Sequence, residues 1–392
     1  IASLNIIPFT INSFCANAIS ALQKFKTLAI IQISMGVINL VAIATLVMNG
    51  YYLPAFFWLF LVLNLFLTLN FIIGALRLFK NHSAVASSAT FGRTWRLRKE
   101  MIIYSFWNYI SSCCEQIAWE RSEIFFLGLF SGSGEIAIYA IAYSLAMLLV
   151  NFFAPVNTVL NYTTAEIVAP NKQEKLKYIS GHAAKYLAII MFPALIYGTT
   201  FIGDIVGFAY GQNFKQVAIL FPLLAVSQVI AMIVSPAANV PNFKDEARKI
   251  TFITLATAIL NLALDFYLIP KNGAFGAAIA NMLAQLFSIT LVLFNARKYK
   301  LNLLNKYFMR IVLMSTILAV FMFMFGGEKT PFPAKIFYSA LSSIIYVIFT
   351  IKLAFNSDDV HLLKNLQTAI PKILHVPYKF LLKAVTKNAH SD

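Results

Sequence analysis

Residues 113–130 read CCEQIAWERSEIFFLGLF. The stretch has the apolar weight of a membrane-spanning helix, yet Glu115, Glu120, Arg121 and Glu123 sit inside it. A charge at the bilayer centre costs about 2.5–3.5 kcal/mol on insertion scales. Charges placed there need a hydrated cavity or partners on neighbouring helices. The rest of the chain decides whether a bilayer is the right solvent.

Of 392 residues, 60% are hydrophobic and 12% charged, and Phe alone occurs 36 times. Soluble domains carry about 25% charged residues. So little charge cannot cover a water-soluble surface, which makes this an integral membrane protein. The net charge of +16 is read as loop charge that sets orientation rather than as a nucleic-acid surface. Cys15, Cys113 and Cys114 lie in apolar segments with no metal spacing. The sequence opens on Ile1, without a basic leader or a small-residue cleavage site, and is read as beginning inside a longer protein.

A bilayer core takes roughly 20 apolar residues per helix. Eleven segments meet that length: 2–22, 27–48, 53–76, 101–130, 136–160, 182–202, 215–237, 250–268, 273–296, 308–326 and 334–355. Sorting Lys and Arg by alternate loops puts 26 on one side and four on the other (Lys215, Lys271, Lys329 and Lys335), with Arg121 inside a span. The basic side is the cytoplasmic one, so the C-terminal tail lies inside and Ile1 begins outside. The opposite loops are too short for a folded catalytic domain, the longest being GDIVGFAYGQNF at 203–214. No P-loop or Ser-His-Asp pattern is present, and GSG at 132–134 reads as a tight turn. His82, His182, His361, His375 and His390 show no ligand spacing, so no metal is expected.

The chain also repeats itself. KFKTLAIIQISMGVINL pairs with FKDEARKITFITLATAILNL, bringing Lys26 onto Arg248 and Asn39 onto Asn261. RLFK at 77–80 pairs with RKYK at 297–300, at an offset of about 220 residues. Both copies cross in the same direction, which implies two halves related by an axis along the membrane normal. On this reading 1–95 is the remainder of an N-terminal half and 96–300 a C-terminal six-helix half. Residues 301–356 add two transmembrane helices, and 357–392 form a basic amphipathic cytoplasmic tail. The expected fold is all-α, with eleven of fourteen spans visible and roughly 120 opening residues missing.

At 100° per residue, Tyr104, Asn108, Ser111, Ser112, Glu115, Gln116, Trp119 and Glu123 fall within a sector of about 140° on a continuous helix. Ile102, Ile103, Phe106, Ile110, Ile117 and Ile124 lie opposite. Lipid cannot satisfy such a polar stripe, which must face water or a bundle interior. Arg121 lies off the stripe and Glu120 on its border. Asp265, near Tyr267 and Lys271, is expected in an interfacial ion pair, and Asp204 in an outer loop. Pro8, Pro155, Pro193, Pro222 and Pro236 fall within spans, where they kink helices and can serve as hinges.

Four stretches carry a resemblance. YLIPKNGAFGAAIANMLAQ (267–285) resembles the Pro-x-x-Gly-x-x-Gly-Ala-Ala element of polysaccharide flippases. FPALIYGTTFIGDIVGFAYGQNFKQVAILFPLLA (192–225) is similar to their span–loop–span element, and SEIFFLGLFSGSGEIAIYAIAYSLA (122–146) to their acidic-x-x-x-Leu-Gly then Gly-x-Tyr-x-x-Ala signature. ALQKFKTLAIIQ (21–32) resembles the junction of their fourth and fifth spans. The chain departs from the pattern at Glu123, where Asp is usual, and at Ala137, often Gly.

The resemblance implies a non-enzymatic flippase of the multidrug and oligosaccharidyl-lipid exporter superfamily. It would carry a polyprenyl-diphosphate-linked oligosaccharide from the cytoplasmic to the outer leaflet of the cell's inner membrane, by alternating access between two six-helix bundles around a central cavity. Polymerases or glycosyltransferases of the pathway are the expected partners, beside membrane lipids. An ion-coupled multidrug extruder and a membrane glycosyltransferase or polymerase are the competing readings. Tyr104, Asn108, Ser112, Glu115, Gln116, Trp119, Glu120, Arg121 and Glu123 are the candidate cavity-lining, substrate-binding residues. Arg121 either contacts the diphosphate or pairs with Glu120 or a neighbouring helix. Glu115 and Glu123 either bind a coupling Na+ or H+, bond sugars, or hold helices together. No other cofactor is expected.

Overall fold

The computed structural model describes residues 6–22, 24–80, 91–117, 122–168, 173–244, 246–327, 330–355, 359–360 and 385–386. Among these, every regular element is helical: α1 (Ile6–Ala21), α2 (Phe25–Met48), α3 (Leu53–Lys80), α4 (Phe91–Gln116), α5 (Ser122–Phe130), α6 (Ser133–Val168), α7 (Gln173–Ala209), α8 (Val217–Ala238), the short α9 (Val240–Phe243), α10 (Ala247–Lys298), α11 (Lys306–Phe325) and α12 (Phe332–Leu353), with a 3-10 turn at Gln212–Phe214. Within the described residues each expected segment falls on helical elements, 101–130 on both α4 and α5. Among the described residues, eight helices are long and apolar enough to cross a bilayer. The 16-residue α1 falls short of that length. The fold is that of a polytopic all-α membrane protein. Apolar side chains such as Leu40, Val41 and Phe323 are exposed all round, which is what helices facing acyl chains present.

The chain packs as two units, Ile1–Met101 and Ile102–Asp392. In the first, α1 and α3 enclose Cys15, Ile19, Phe71 and Ala75. Thr68 Oγ1 donates to Asn64 O at 2.6 Å and reaches Pro8 O on α1 at 3.4 Å. The turn from α2 to α3 runs through Gly50 at φ 67°.

In the second unit α8 is the most enclosed helix, against α6, α7 and α10. Its Leu224, Ala225, Val229 and Ile233 meet Ala142, Ala146, Ala184, Ala188, Ala277 and Ala278 from the other three. Lipid offers no hydrophobic drive between helices, so small side chains that let backbones approach closely supply the packing. All five expected prolines sit inside helices: Pro8 in α1, Pro155 in α6, Pro193 in α7, and Pro222 and Pro236 in α8.

Helix α10 is a hairpin. Asn261 and Asn281 both donate to Glu123 Oε1, yet twenty residues of straight helix would separate them by about 30 Å. The chain reverses at Gly273, whose φ of 54° and ψ of −136° suit only glycine. Glu135 at the start of α6 accepts from Ala274 N at 2.7 Å, satisfying one free amide of the second arm. A Cβ on Gly273 would lie 2.6 Å from that carboxylate, and one on Gly276 would strike the Leu268 carbonyl. The two expected spans 250–268 and 273–296 are the arms of this hairpin.

Helix α12 is fastened to α7 along its length. Lys335 Nζ meets Asp204 Oδ2 at 2.7 Å at one end. Ser343 donates to Tyr197 OH at 2.7 Å midway. Just past the other end of α12, buried Lys185 on α7 reaches both oxygens of buried Asp359 at 2.6 Å. Tyr186 OH donates to the same carboxylate at 2.6 Å, and Lys185 also donates to Ala354 O. Asp204 therefore lies within α7 rather than in an outer loop, because the helix continues to Ala209. Of the tail read as an amphipathic helix, only Asp359, Val360, Val385 and Thr386 are among the described residues.

At the Lys/Arg-rich ends, Tyr299 OH donates to Glu246, and Lys249 Nζ reaches the same carboxylate at 2.7 Å. The Lys249 bond, then that of Tyr299, holds the Glu246 carboxyl below the usual range.

Candidate functional site

The expected single span 101–130 covers two described helices. Helix α4 ends at Gln116 and α5 starts at Ser122. Residues 118–121, among them Trp119, Glu120 and Arg121, lie outside the described residues. Glu115 and Glu123, expected on one face, stand in different surroundings. Glu115, Ser112, Gln116 and Tyr104 are exposed, and Asn108 is half-buried with its amide turned back to the Tyr104 carbonyl. Ser111 is buried against Thr254 of α10 at 3.2 Å. Glu123 is fully buried, apart from that exposed group.

Glu123 stands in the first turn of α5, where free amides and the positive end of the helix dipole favour a negative charge. Its Oε2 accepts from Ser122 Oγ at 3.3 Å. Its Oε1 accepts from Asn281 Nδ2 at 2.8 Å and Asn261 Nδ2 at 3.2 Å. Asn261 Nδ2 also reaches Ser122 Oγ at 3.0 Å and Asp265 Oδ2 at 3.3 Å. Asn261 and Asp265 are four residues apart on the first arm of the hairpin and so share a face. Asn281 and Gln285 have the same spacing on the second arm. Glu123, Asn261, Asp265 and Asn281 are all fully buried. Tyr139 of α6 is buried beside Glu123 and Asp265 and stacks on Tyr143 at 6.1 Å. The reversal at Gly273 brings the two arms onto one carboxylate.

Asp265 is thus not in an interfacial ion pair. Lys271 lies over the Tyr267 ring at 3.6 Å, while Asp265 turns inward. The hairpin sets its direction, because the face carrying Asn261 also carries Asp265. Spacing alone could have revealed this cluster: polar side chains at 261, 265, 281 and 285 mark one face on each of two apolar segments.

Among the described residues the charge balance of the cluster is open. Neither Glu123 nor Asp265 has an ion pair among the described residues. Asp265 Oδ1, Asn281 Oδ1 and Gln285 Oε1 are buried acceptors without a hydrogen-bond partner among those residues. Two ionised carboxylates side by side in a dry interior cost several kcal/mol each. The dipole of α5 offsets about half a charge at most. A bound proton, or a small cation on these oxygen donors, would close the balance. Oxygen-only donors suit a hard cation rather than a soft one.

A family profile described as "Polysaccharide biosynthesis protein" matches residues 1–219. A curated relative, "Probable flippase AglR" of Haloferax volcanii, is 23% identical over 176 residues, which is 43% of this chain and 36% of that protein. Among solved structures, "Lipid II flippase MurJ, inward closed conformation" superposes with a TM-score of 0.52 at 15% identity, covering 73% of this chain and 61% of that one. The chain spans about a third of the curated relative and under two thirds of the solved structure. The MurJ likeness confirms the fold, and the profile match spans more than half of the 392 residues. The chain belongs to the polysaccharide biosynthesis protein family.

Proposed function

We propose that the protein is a flippase that carries a polyprenyl-diphosphate-linked oligosaccharide from the cytoplasmic to the outer leaflet, and that the Glu123–Asp265 cluster binds the cation or proton that drives it. The observation that carries the coupling role is the pair of fully buried carboxylates with no ion pair among the described residues. The cluster joins α5 to both arms of the hairpin, so a bound positive charge draws three segments together and its release lets them part. A ligand shifts such an equilibrium only through its differential affinity for the two states. Repulsion between the two carboxylates without the cation supplies that difference.

The substrate class rests on family membership and on the flippase named among the relatives. The polar face of α4, with Tyr104, Asn108, Ser112, Glu115 and Gln116, is assigned to the sugar pathway together with Trp119, Glu120 and Arg121. Hydroxyls need donors and acceptors along such a path, and aromatic rings can cover sugar faces. The protein acts as a translocator with no bond-making step, in the inner membrane with its C-terminus cytoplasmic. Enzymes that polymerise or transfer the exported unit act after it. Residues 1–95 would be the closing part of a duplicated first half. At the repeat offset, Gly50 (φ 67°) falls within a residue of Gly273 (φ 54°), each at the turn after the paired helix.

Loss of the full-length gene makes lipid-linked units accumulate on the cytoplasmic leaflet, and wild type restores export where Glu123→Gln does not. Units already outside in the deletion strain contradict the assignment. Arg121→Ala abolishes export with the protein still inserted if Arg121 contacts the diphosphate; wild-type export rules that contact out.

A further inference from the structure

At the Lys/Arg-poor end of the second unit, α7, the turn before α8 and the start of α12 enclose a cavity of about 850 Å³. Its polar lining is Thr199, Thr200, Asp204, Gln212, Lys215 and Lys335. That side of the chain holds only four of the 31 basic residues, and two of them converge here. Gly203 and Gly207 face the same space and leave it open, the nearest atoms to a Cβ there being Ala218 Cβ at 3.9 Å and Gln212 Nε2 at 3.5 Å.

Lys335 is the informative residue. It is 3% exposed, and its ammonium donates to Asp204 Oδ2 at 2.7 Å. An ammonium carries three donors and no acceptor. The pair with Asp204 leaves donor capacity on an ammonium whose residue lines the cavity. Lys215 is exposed at the rim, with no ion pair among the described residues. With Asp204 cancelling one cation, the charged lining keeps a net charge of +1. A donor-rich pocket with surplus positive charge suits a ligand that is anionic and has only acceptors. Phe208, 97% exposed, and Phe332, 52% exposed, flank the opening.

We propose that this cavity binds a phosphoryl group, from a lipid headgroup or from free phosphate, with Lys335 and Lys215 as its charged contacts and Asp204 aiming Lys335. The site stands apart from the Glu123 cluster and does not depend on the flippase assignment.

The test uses the delipidated full-length protein in detergent, titrated in separate calorimetric runs with dioctanoyl phosphatidylglycerol and with inorganic phosphate. At least one probe binds saturably, one per chain. Lys215→Glu weakens that binding at least tenfold, whereas Lys271→Glu, at the hairpin tip, changes it less than twofold. Equal affinity for both probes identifies free phosphate as sufficient, and binding of the lipid alone identifies a headgroup. Because Lys335→Met leaves Asp204 unpaired and can unfold the protein, Thr199→Val serves as the second variant, with a two- to fivefold loss. Absence of saturable binding for both probes, or equal losses in Lys215→Glu and Lys271→Glu, overturns the proposal.

Discussion

Two buried charge clusters lie in the same unit and differ in one respect. At Lys185 and Asp359 the balance is closed: one ammonium meets one carboxylate at 2.6 Å, with Tyr186 adding a donor and the rings of Tyr186, Tyr307 and Phe355 lying 5.3–5.5 Å from the cation. At Glu123 and Asp265 two carboxylates share amide and hydroxyl donors, and no cation stands among their described neighbours. Both clusters are equally dry. A closed pair fastens helices permanently, because any change to it leaves a bare charge. An open pair is stable only with a transient partner, which makes its packing conditional. On the proposed coupling role, the first belongs to the fixed frame formed by α7 and α12, and the second to the part that responds.

Substitutions sharpen that contrast. The largest effect falls on the closed pair. Lys185→Met strands Asp359 and costs about 3–5 kcal/mol of stability, read as a lowered thermal unfolding midpoint in detergent. Lys185→Met with Asp359→Leu recovers most of it, because removing both charges removes the stranded one. At the open pair the signs reverse. Glu123→Gln leaves the unfolding midpoint unchanged or raised, while export in a complementation assay falls at least a hundredfold, about 2.7 kcal/mol at 1.36 kcal/mol per tenfold. Gly273→Ala, which sets a methyl group against Glu135 in a backbone region reserved for glycine, costs about 1–3 kcal/mol and loosens the hairpin. Ser111→Ala, which removes the bond to Thr254, costs about 0.5–1.5 kcal/mol.

The smallest effect is at Glu246, whose side chain is 37% exposed, so its pair with Lys249 is screened and worth no more than about 1 kcal/mol. Its carboxyl is held below the usual range, so the contribution is complete above the ordinary carboxylate pKa. It is lost as pH falls through the lower folded value. Glu246→Gln therefore lowers the midpoint slightly at neutral pH and leaves it equal to wild type in strong acid.

Hydropathy and loop charge made the helices legible, down to the two arms on either side of PKNG, because length and lipid exposure dictate both. The site was half legible. Glu123 stood out as a charge in an apolar stretch. Its partners did not, because they lie on the two arms of α10, 138 and 158 positions further along the chain. Asp265 was misplaced because Tyr267 and Lys271 are its neighbours in sequence, while the hairpin sets it against Glu123 across 142 positions of chain. Asp204 and Lys335 read as loop charges, since nothing in composition records that α7 extends from Gln173 to Ala209 and carries α12 along its side.

The central claim is that the Glu123–Asp265 cluster holds a small cation or a proton. The most direct measurement is the unfolding midpoint of the full-length protein, taken against Na+ at fixed pH with choline holding ionic strength, and against pH at fixed salt. A ligand that binds the folded state raises stability by about 2.7 kcal/mol at a hundred times its dissociation constant. The account predicts that the wild-type midpoint climbs with one of the two cations, and that Glu123→Gln and Asp265→Asn flatten that response while still folding. A wild-type midpoint indifferent to both cations, or the same climb in all three proteins, would contradict it.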